Sequence, residues 1–135
     1  MWIFGNNVEE AYGHLAFALF YVAAGVAATA GFVILAPDTT VPLVGASGAI
    51  AGVMGAYLVL FPRHQILTLI FIRAVAIPSV AFLGLWFASQ FLLVGDASGI
   101  AWQAHVAGFA FGALLTLPLR PRLLARIGVA ASTTY

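Results

Sequence analysis

The chain has no cysteine among its 135 residues, and only 7% of its residues are charged. Without cysteine it has no disulfide, no thiol nucleophile and no cysteine-ligated zinc. A soluble domain typically carries ~25% charged residues, so five arginines and four acids are too few for a water-exposed globular surface. The formal net charge of +1 gives no indication of nucleic-acid binding, and no such partner is expected.

Apolar residues dominate instead, at 64% of the chain with a mean hydropathy of +1.11. These values are typical of an integral membrane protein. Residues 15–36 carry no charge and are long enough, at ~1.5 Å per residue, to cross ~30 Å of hydrocarbon as a helix. Residues 2–10 read as the last turns of an earlier membrane helix that reaches a polar interface.

Three more apolar stretches follow the first predicted span. Residues 47–61 are rich in glycine and alanine and short for a span, which favours a central place where neighbours cover the helix ends. Residues 65–76 are interrupted by Arg73 and stopped by Pro78, so we interpret them as an interfacial connection. Further spans are predicted over the following segments: about 78–94, and 100–119.

Arginine placement predicts the topology. Arg63 and Arg73 lie on one side, and after two crossings Arg120 returns to that side, which should be cytoplasmic. The expected fold is an all-α, multi-pass helical bundle in the cell membrane. Residues 1–119 are assigned to the membrane domain and residues 120–135 to a short basic cytoplasmic tail.

Two polar residues, Ser47 and His105, are expected inside spans and near their outer ends. At ~1.5 Å per residue, Ser47 lies sixteen residues, or ~24 Å, above Arg63. His105 lies fifteen residues, or ~22 Å, above Arg120. The two side chains are therefore predicted at nearly the same depth, in a water-filled pocket below the outer surface.

A serine and a histidine at one depth are suited to nucleophilic catalysis. A neutral imidazole, with an ordinary pKa of ~6.5, can take the proton of a serine hydroxyl at neutral pH. Ser47 lies in the first turn of its helix, where free backbone N–H groups can stabilise an oxyanion. Small residues that permit close helix approach accompany both side chains: Gly48 and Gly52 near the serine, Gly108 and Gly112 near the histidine.

Each of these residues also has a structural interpretation. A lone serine in a glycine-rich span can simply tighten packing, and an intramembrane histidine can be a proton relay or a metal ligand. A metal site is not expected, because so few partner ligands are present. Gly45 and Ala46 leave room for an extended substrate strand, although a plain loop would look the same. Five further residues are given structural interpretations: interface anchors for His14 and His64, and lipid-facing or gate positions for Trp86, Gln90 and Trp102.

Three motifs occur in a characteristic order. They are WIFGNNVE at residues 2–9, GASG at residues 45–48 and HVAGFAFG at residues 105–112. They resemble the end of the second helix, the Gly-x-Ser-Gly nucleophile motif and the His-x-x-Gly-x-x-x-Gly helix of the rhomboid family of intramembrane serine proteases. The resemblance covers essentially the whole chain, but the first helix and most of the second, with its oxyanion residues, would precede Met1.

The resemblance implies a Ser–His dyad of Ser47 and His105, an oxyanion and substrate region at Gly45, Ala46 and Ser47, and no cofactor. Expected partners are transmembrane protein substrates and the lipid bilayer. Some family members stack a tyrosine on the histidine from one turn after the serine, where this chain has Ala51. The rival hypothesis is a non-catalytic rhomboid-like protein that binds transmembrane segments. A small transporter would show inverted repeats and paired broken helices, which the sequence does not show.

Overall fold

The computed structural model describes residues 3–40, 43, 46–92 and 101–128. This part of the chain is mostly helical, as predicted, and each of the four apolar stretches predicted as a span forms a helix. The elements in chain order are α1 Gly5–Tyr12, α2 His14–Leu35, α3 Ser47–Leu60, β1 Gln65–Ile70, β2 Arg73–Pro78, α4 Ser79–Leu92 and α5 Trp102–Arg126.

Helix α2 is uninterrupted because its sequence contains no proline. In the described part of the chain it is the helix that is both long and apolar enough to cross a membrane, while α3 and α4 are apolar but shorter. Gly13 separates α1 from α2 with a φ of 82°, a conformation that glycine adopts without strain. The N–H of Gly13 still bonds to the carbonyl of Glu9, so the chain turns without losing that hydrogen bond.

Helix α3 lies at the centre of the fold and packs against α1, α2, α4 and α5. Ten of its 14 residues are buried, among them Val53, Tyr57 and Leu60. A short helix of small residues was expected in such a place, and this expectation is confirmed. Its end is fixed by Arg120 of α5, whose Nε donates to the carbonyl of Val59 over 2.9 Å and so pairs one of the helix's free terminal carbonyls.

Glycines form the contact between α3 and α5. A β-carbon on Gly108 would meet the backbone carbonyl of Gly48, and one on Gly112 would meet the carbonyl of Gly52. Gly52 also lies against Ala24 of α2, so three helices approach closely at this residue. The backbones of α3 and α5 therefore touch directly, with no side chain between them.

Helix α5 continues past residue 119 to Arg126, with Pro118 inside it. The boundary between the membrane domain, residues 1–119, and the basic tail, residues 120–135, thus falls within one helix. The Nη1 of Arg126 donates to the carbonyl of Tyr12 at the end of α1 over 3.1 Å. The basic end of α5 therefore holds the ends of both α1 and α3.

The all-α prediction does not extend to the segment after α3, which was expected to be an interfacial connection and forms two strands. Strands β1 and β2 pair as an antiparallel hairpin, with a register from Gln65 opposite Pro78 to Ile70 opposite Arg73. Alternating β-branched residues favour this pairing over a helix. They are Ile66, Thr68, Val75 and Ile77. The interfacial connection expected here is therefore a hairpin, which leads directly into α4.

Candidate active site

Ser47 is the first residue of α3, and its side chain is exposed. The first backbone hydrogen bond of this helix joins the N–H of Ile50 to the carbonyl of Ala46. The backbone N–H groups of Ser47 and Gly48 therefore have no hydrogen-bond acceptor within the helix, as is usual in the first turn of a helix. The local fold places a hydroxyl and backbone donors at one helix end.

His105 lies in the first turn of α5, which begins at Trp102. Its Nε2 is 3.0 Å from Oγ of Ser47, within hydrogen-bonding distance. The glycine contact explains this approach, because the carbonyl of Ala104 lies 3.4 Å from the place of a β-carbon on Gly48. The structure therefore brings together the side chains of Ser47 and His105, which the sequence predicted to lie at nearly the same depth.

The other ring nitrogen of His105 has a partner that the sequence did not indicate. Its Nδ1 lies 2.8 Å from Oε1 of Gln90 on α4. Gln90 was expected to face lipid or to act as a gate residue. The sequence of an apolar helix does not show which residue a glutamine side chain will contact. The sequence does show that Trp86 and Gln90 are four residues apart and therefore lie on the same face of α4.

An aromatic ring also lies against His105. The ring of Trp86 is 6.1 Å from the imidazole between centroids, with 41° between the planes, and it packs against Phe109 as well. Trp86, which was expected to face lipid or to act as a gate residue, is therefore directed towards the other helices of the bundle. Ala51, which stands where some rhomboid proteins have a tyrosine, is buried. The aromatic neighbour of the histidine comes from α4 instead of from α3.

A groove of about 540 Å³ adjoins the start of α3. Its lining is mostly apolar and includes both chain neighbours of Ser47, Ala46 and Gly48. Across from them, Val26 and Thr29 of α2 form another part of the wall. Ala46 itself is exposed, whereas Gly45 lies outside the described residues.

The other two histidines lie away from this site. The side chain of His14 is 96% exposed and its Nδ1 lies 2.7 Å from Oε1 of Glu9. His64 stacks on Phe61 with 4.6 Å between ring centroids. Among the described residues there is no group of three or more histidine or acidic side chains that could hold a metal ion.

These observations define a mostly helical protein with an apolar helix long enough to cross a bilayer and a serine hydrogen-bonded to a histidine between two helix starts. The family model for the Rhomboid domain matches residues 1–122. The chain therefore belongs to the rhomboid family, a family of intramembrane proteases, as its motifs suggested. No curated protein and no solved structure matches it.

Proposed function

We propose that this protein is an intramembrane serine endopeptidase that uses Ser47 as nucleophile and His105 as general base and acid. The observation that carries the proposal is the 3.0 Å contact between Nε2 of His105 and Oγ of Ser47 in a chain of the rhomboid family. A hydroxyl is a weak nucleophile until a base accepts its proton, and the contact supplies that base.

The proposed reaction is acyl transfer in two stages. Oγ of Ser47 attacks the carbonyl carbon of the scissile peptide while its proton passes to Nε2 of His105. The backbone N–H of Ser47 and the N–H groups beside it stabilise the oxyanion at the positive end of α3. His105 then protonates the leaving amine as the C–N bond breaks. Water, deprotonated by His105, hydrolyses the ester and restores Ser47.

We propose a multi-pass arrangement in which α2, α3, α4 and α5 all cross the membrane. Helices α3 and α4 have 14 residues each and so reach only ~21 Å, but α3 is surrounded by other helices and the hairpin extends the path to α4. Arg120 and Arg126 mark the cytoplasmic end. Ser47 then lies towards the outer side, where water can reach it.

The proposed substrates are transmembrane segments of other proteins, as the family resemblance implies. The groove beside Ala46 and Gly48 is apolar and about 540 Å³ in volume, which suits an apolar peptide segment rather than a charged ligand. Ser47 and His105 do not line the groove themselves, but Ala46 and Gly48 on either side of Ser47 do, and we propose that the substrate backbone reaches Oγ of Ser47 over these small residues. Helix-breaking small residues in the substrate would help it adopt the extended form that a protease needs.

A cleavage assay in liposomes with a panel of transmembrane substrates tests the proposal. Ser47→Ala and His105→Ala should each lower the cleavage rate by at least ~100-fold, because a general base alone usually contributes at least that factor. His14→Ala is the matched control and should cleave like the unaltered protein, because His14 is exposed and remote from the dyad. Full activity in either dyad variant would refute the assignment, and binding of these segments without cleavage would favour the non-catalytic alternative.

A further inference from the structure

We infer that Gln90 is a positioning residue that fixes the tautomer and the ring orientation of His105. This inference rests on the proposed function, since it concerns how the dyad is held. It starts from the 2.8 Å contact between Oε1 of Gln90 and Nδ1 of His105, on the side of the ring opposite to Ser47. Gln90 does not touch the reacting atoms, so its effect must pass through the imidazole.

The orientation of the Gln90 amide follows from its other contacts. Its Nε2 lies 3.3 Å from the carbonyl oxygen of Trp86 and 3.4 Å from Oγ of Ser89. The hydroxyl of Ser89 donates its own proton to the same carbonyl over 2.6 Å, which leaves its lone pairs to accept. Both neighbours on that side are therefore acceptors and require the amide NH₂ group. Turning the amide over would set two oxygens against Oε1, so Oε1 faces the histidine.

The amide oxygen determines which ring nitrogen of His105 carries the proton. An amide oxygen only accepts hydrogen bonds, so Nδ1 of a neutral imidazole must be the donor. Nε2 then keeps its lone pair and can accept the proton of Ser47, as a general base requires. In the other tautomer, Nδ1 and Oε1 would be two facing acceptors, and Nε2 could no longer act as the base.

Gln90 also ties α4 to the site. Helix α4 buries only Ser79 and Leu83 among its residues, and it is the least buried of the three helices that meet here. The contact between Gln90 and His105 lies near the end of α4 that leads to Leu92. The imidazole is thus held from α3 at one nitrogen and from α4 at the other, with the ring of Trp86 beside it.

The test compares two replacements of Gln90 that have nearly the same size and shape. Gln90→Glu keeps an acceptor oxygen at the position of Oε1, whereas Gln90→Met removes it. We expect Gln90→Met to lower kcat by ~10- to 100-fold with little change in KM, as when a catalytic group is misplaced by part of an ångström. At its own pH optimum, Gln90→Glu should keep kcat within about threefold, because its carboxylate still accepts from Nδ1–H and the hydroxyl of Ser89 can turn to donate to the second carboxylate oxygen, which replaces the NH₂ group. Gln65→Met, the same replacement on the exposed start of β1, is the control and should cleave like the unaltered protein.

The pH dependence of kcat distinguishes a positioning role of Gln90 from a purely structural one, because a structural role would leave the acid limb of the profile unchanged. Ser47, Gln90 and Trp86 are the described hydrogen-bond and ring partners of His105, and none of them titrates near neutral pH. A glutamate at position 90 adds a negative charge that stabilises the imidazolium, so the acid limb of the kcat profile should move to higher pH. No shift, or equal kcat in the Met and Glu variants, overturns the inference.

Thermal unfolding of every variant distinguishes a loss of kcat caused by misfolding of the protein from one caused by misplacement of the His105 ring. A fall in kcat that follows the fall in Tm in both Gln90 variants would show a packing role and overturn the inference. Failure of the proposed function looks different, because Ser47→Ala and His105→Ala would then keep their activity. Loss of activity in those two variants, with normal kcat in Gln90→Met, would overturn only the role of Gln90.

Discussion

The backbone carbonyl of Gly48 occupies the place that a β-carbon on Gly108 would need. Gly48 directly follows Ser47, and Gly108 lies three residues after His105, so this contact sets the distance between the side chains of Ser47 and His105. We expect Gly108→Ala to push α5 away from α3, to cost about 1–3 kcal/mol of stability and to slow cleavage by ~100-fold. Tm and kcat of the purified protein in liposomes measure the two effects.

Gly84→Ala is the matched control for this substitution. A β-carbon at Gly84 would have nothing within 4 Å, and alanine is the better helix former. The control should therefore keep full activity with equal or slightly higher stability. Gly108→Ala with unchanged kcat would show that the glycine contact does not control the distance between Ser47 and His105.

Removing the guanidinium of Arg120 should destabilise the protein without altering its chemistry. Its Nε donates to the carbonyl of Val59, so Arg120→Gln should lower the free energy of unfolding by about 1.5–3 kcal/mol, the range for a hydrogen bond that involves a charged group. Arg122 has an exposed side chain, and Arg122→Gln should stay within about 0.5 kcal/mol of the unaltered protein. Equal losses in unfolding experiments on the two variants would contradict the role of this hydrogen bond.

The proposed topology can be measured by cysteine labelling, because the chain has no cysteine of its own. Asp38 follows α2 and Arg122 lies near the end of α5, and both side chains are exposed. In intact cells, a membrane-impermeant maleimide should label Asp38→Cys, and it should label Arg122→Cys only after permeabilisation. Labelling of both sites from the same side would rule out the proposed arrangement.

The hairpin tip should lie in the lipid interface on the cytoplasmic side. Phe71 and Ile72 are 95% and 94% exposed, and on β1 Leu67 points away from the bundle while its neighbour Ile66 is buried. Such an apolar tip is costly in water, whereas lipid tails accommodate it. A nitroxide at Phe71→Cys should therefore collide more with oxygen than with a water-soluble nickel chelate. A label at His14→Cys should show the reverse, and equal nickel access at both sites would place the tip in water.

Much of the fold could be predicted because apolar length and helix breakers act locally. The uncharged run that became α2 and the proline after Phe61 set element ends without any knowledge of tertiary contacts. The hairpin was missed for the opposite reason. An apolar segment of 12 residues is compatible with a strand pair or an interfacial helix, and the pairing of Gln65 with Pro78 is decided by contacts distant in sequence.

In the candidate site, too, some residues could be predicted from local sequence and others depend on contacts distant in sequence. Ser47 and His105 could be chosen from sequence because each is a polar residue at a measurable depth in an apolar span. Gln90 could not be assigned, because its partner depends on how α4 is rotated against α5. Rotation is set by packing of side chains such as Phe87 on Phe109, whose rings lie 4.7 Å apart, and not by the composition of either helix.

Covalent labelling with a fluorophosphonate, followed by peptide mass spectrometry, tests the central claim most directly. The reagent forms a stable adduct only with a serine whose hydroxyl is activated by a base. We predict one adduct, on Ser47, in the unaltered protein, and a labelling rate at least ~100-fold lower in His105→Ala. An adduct on another serine, or undiminished labelling of Ser47 in His105→Ala, would contradict a Ser47–His105 dyad.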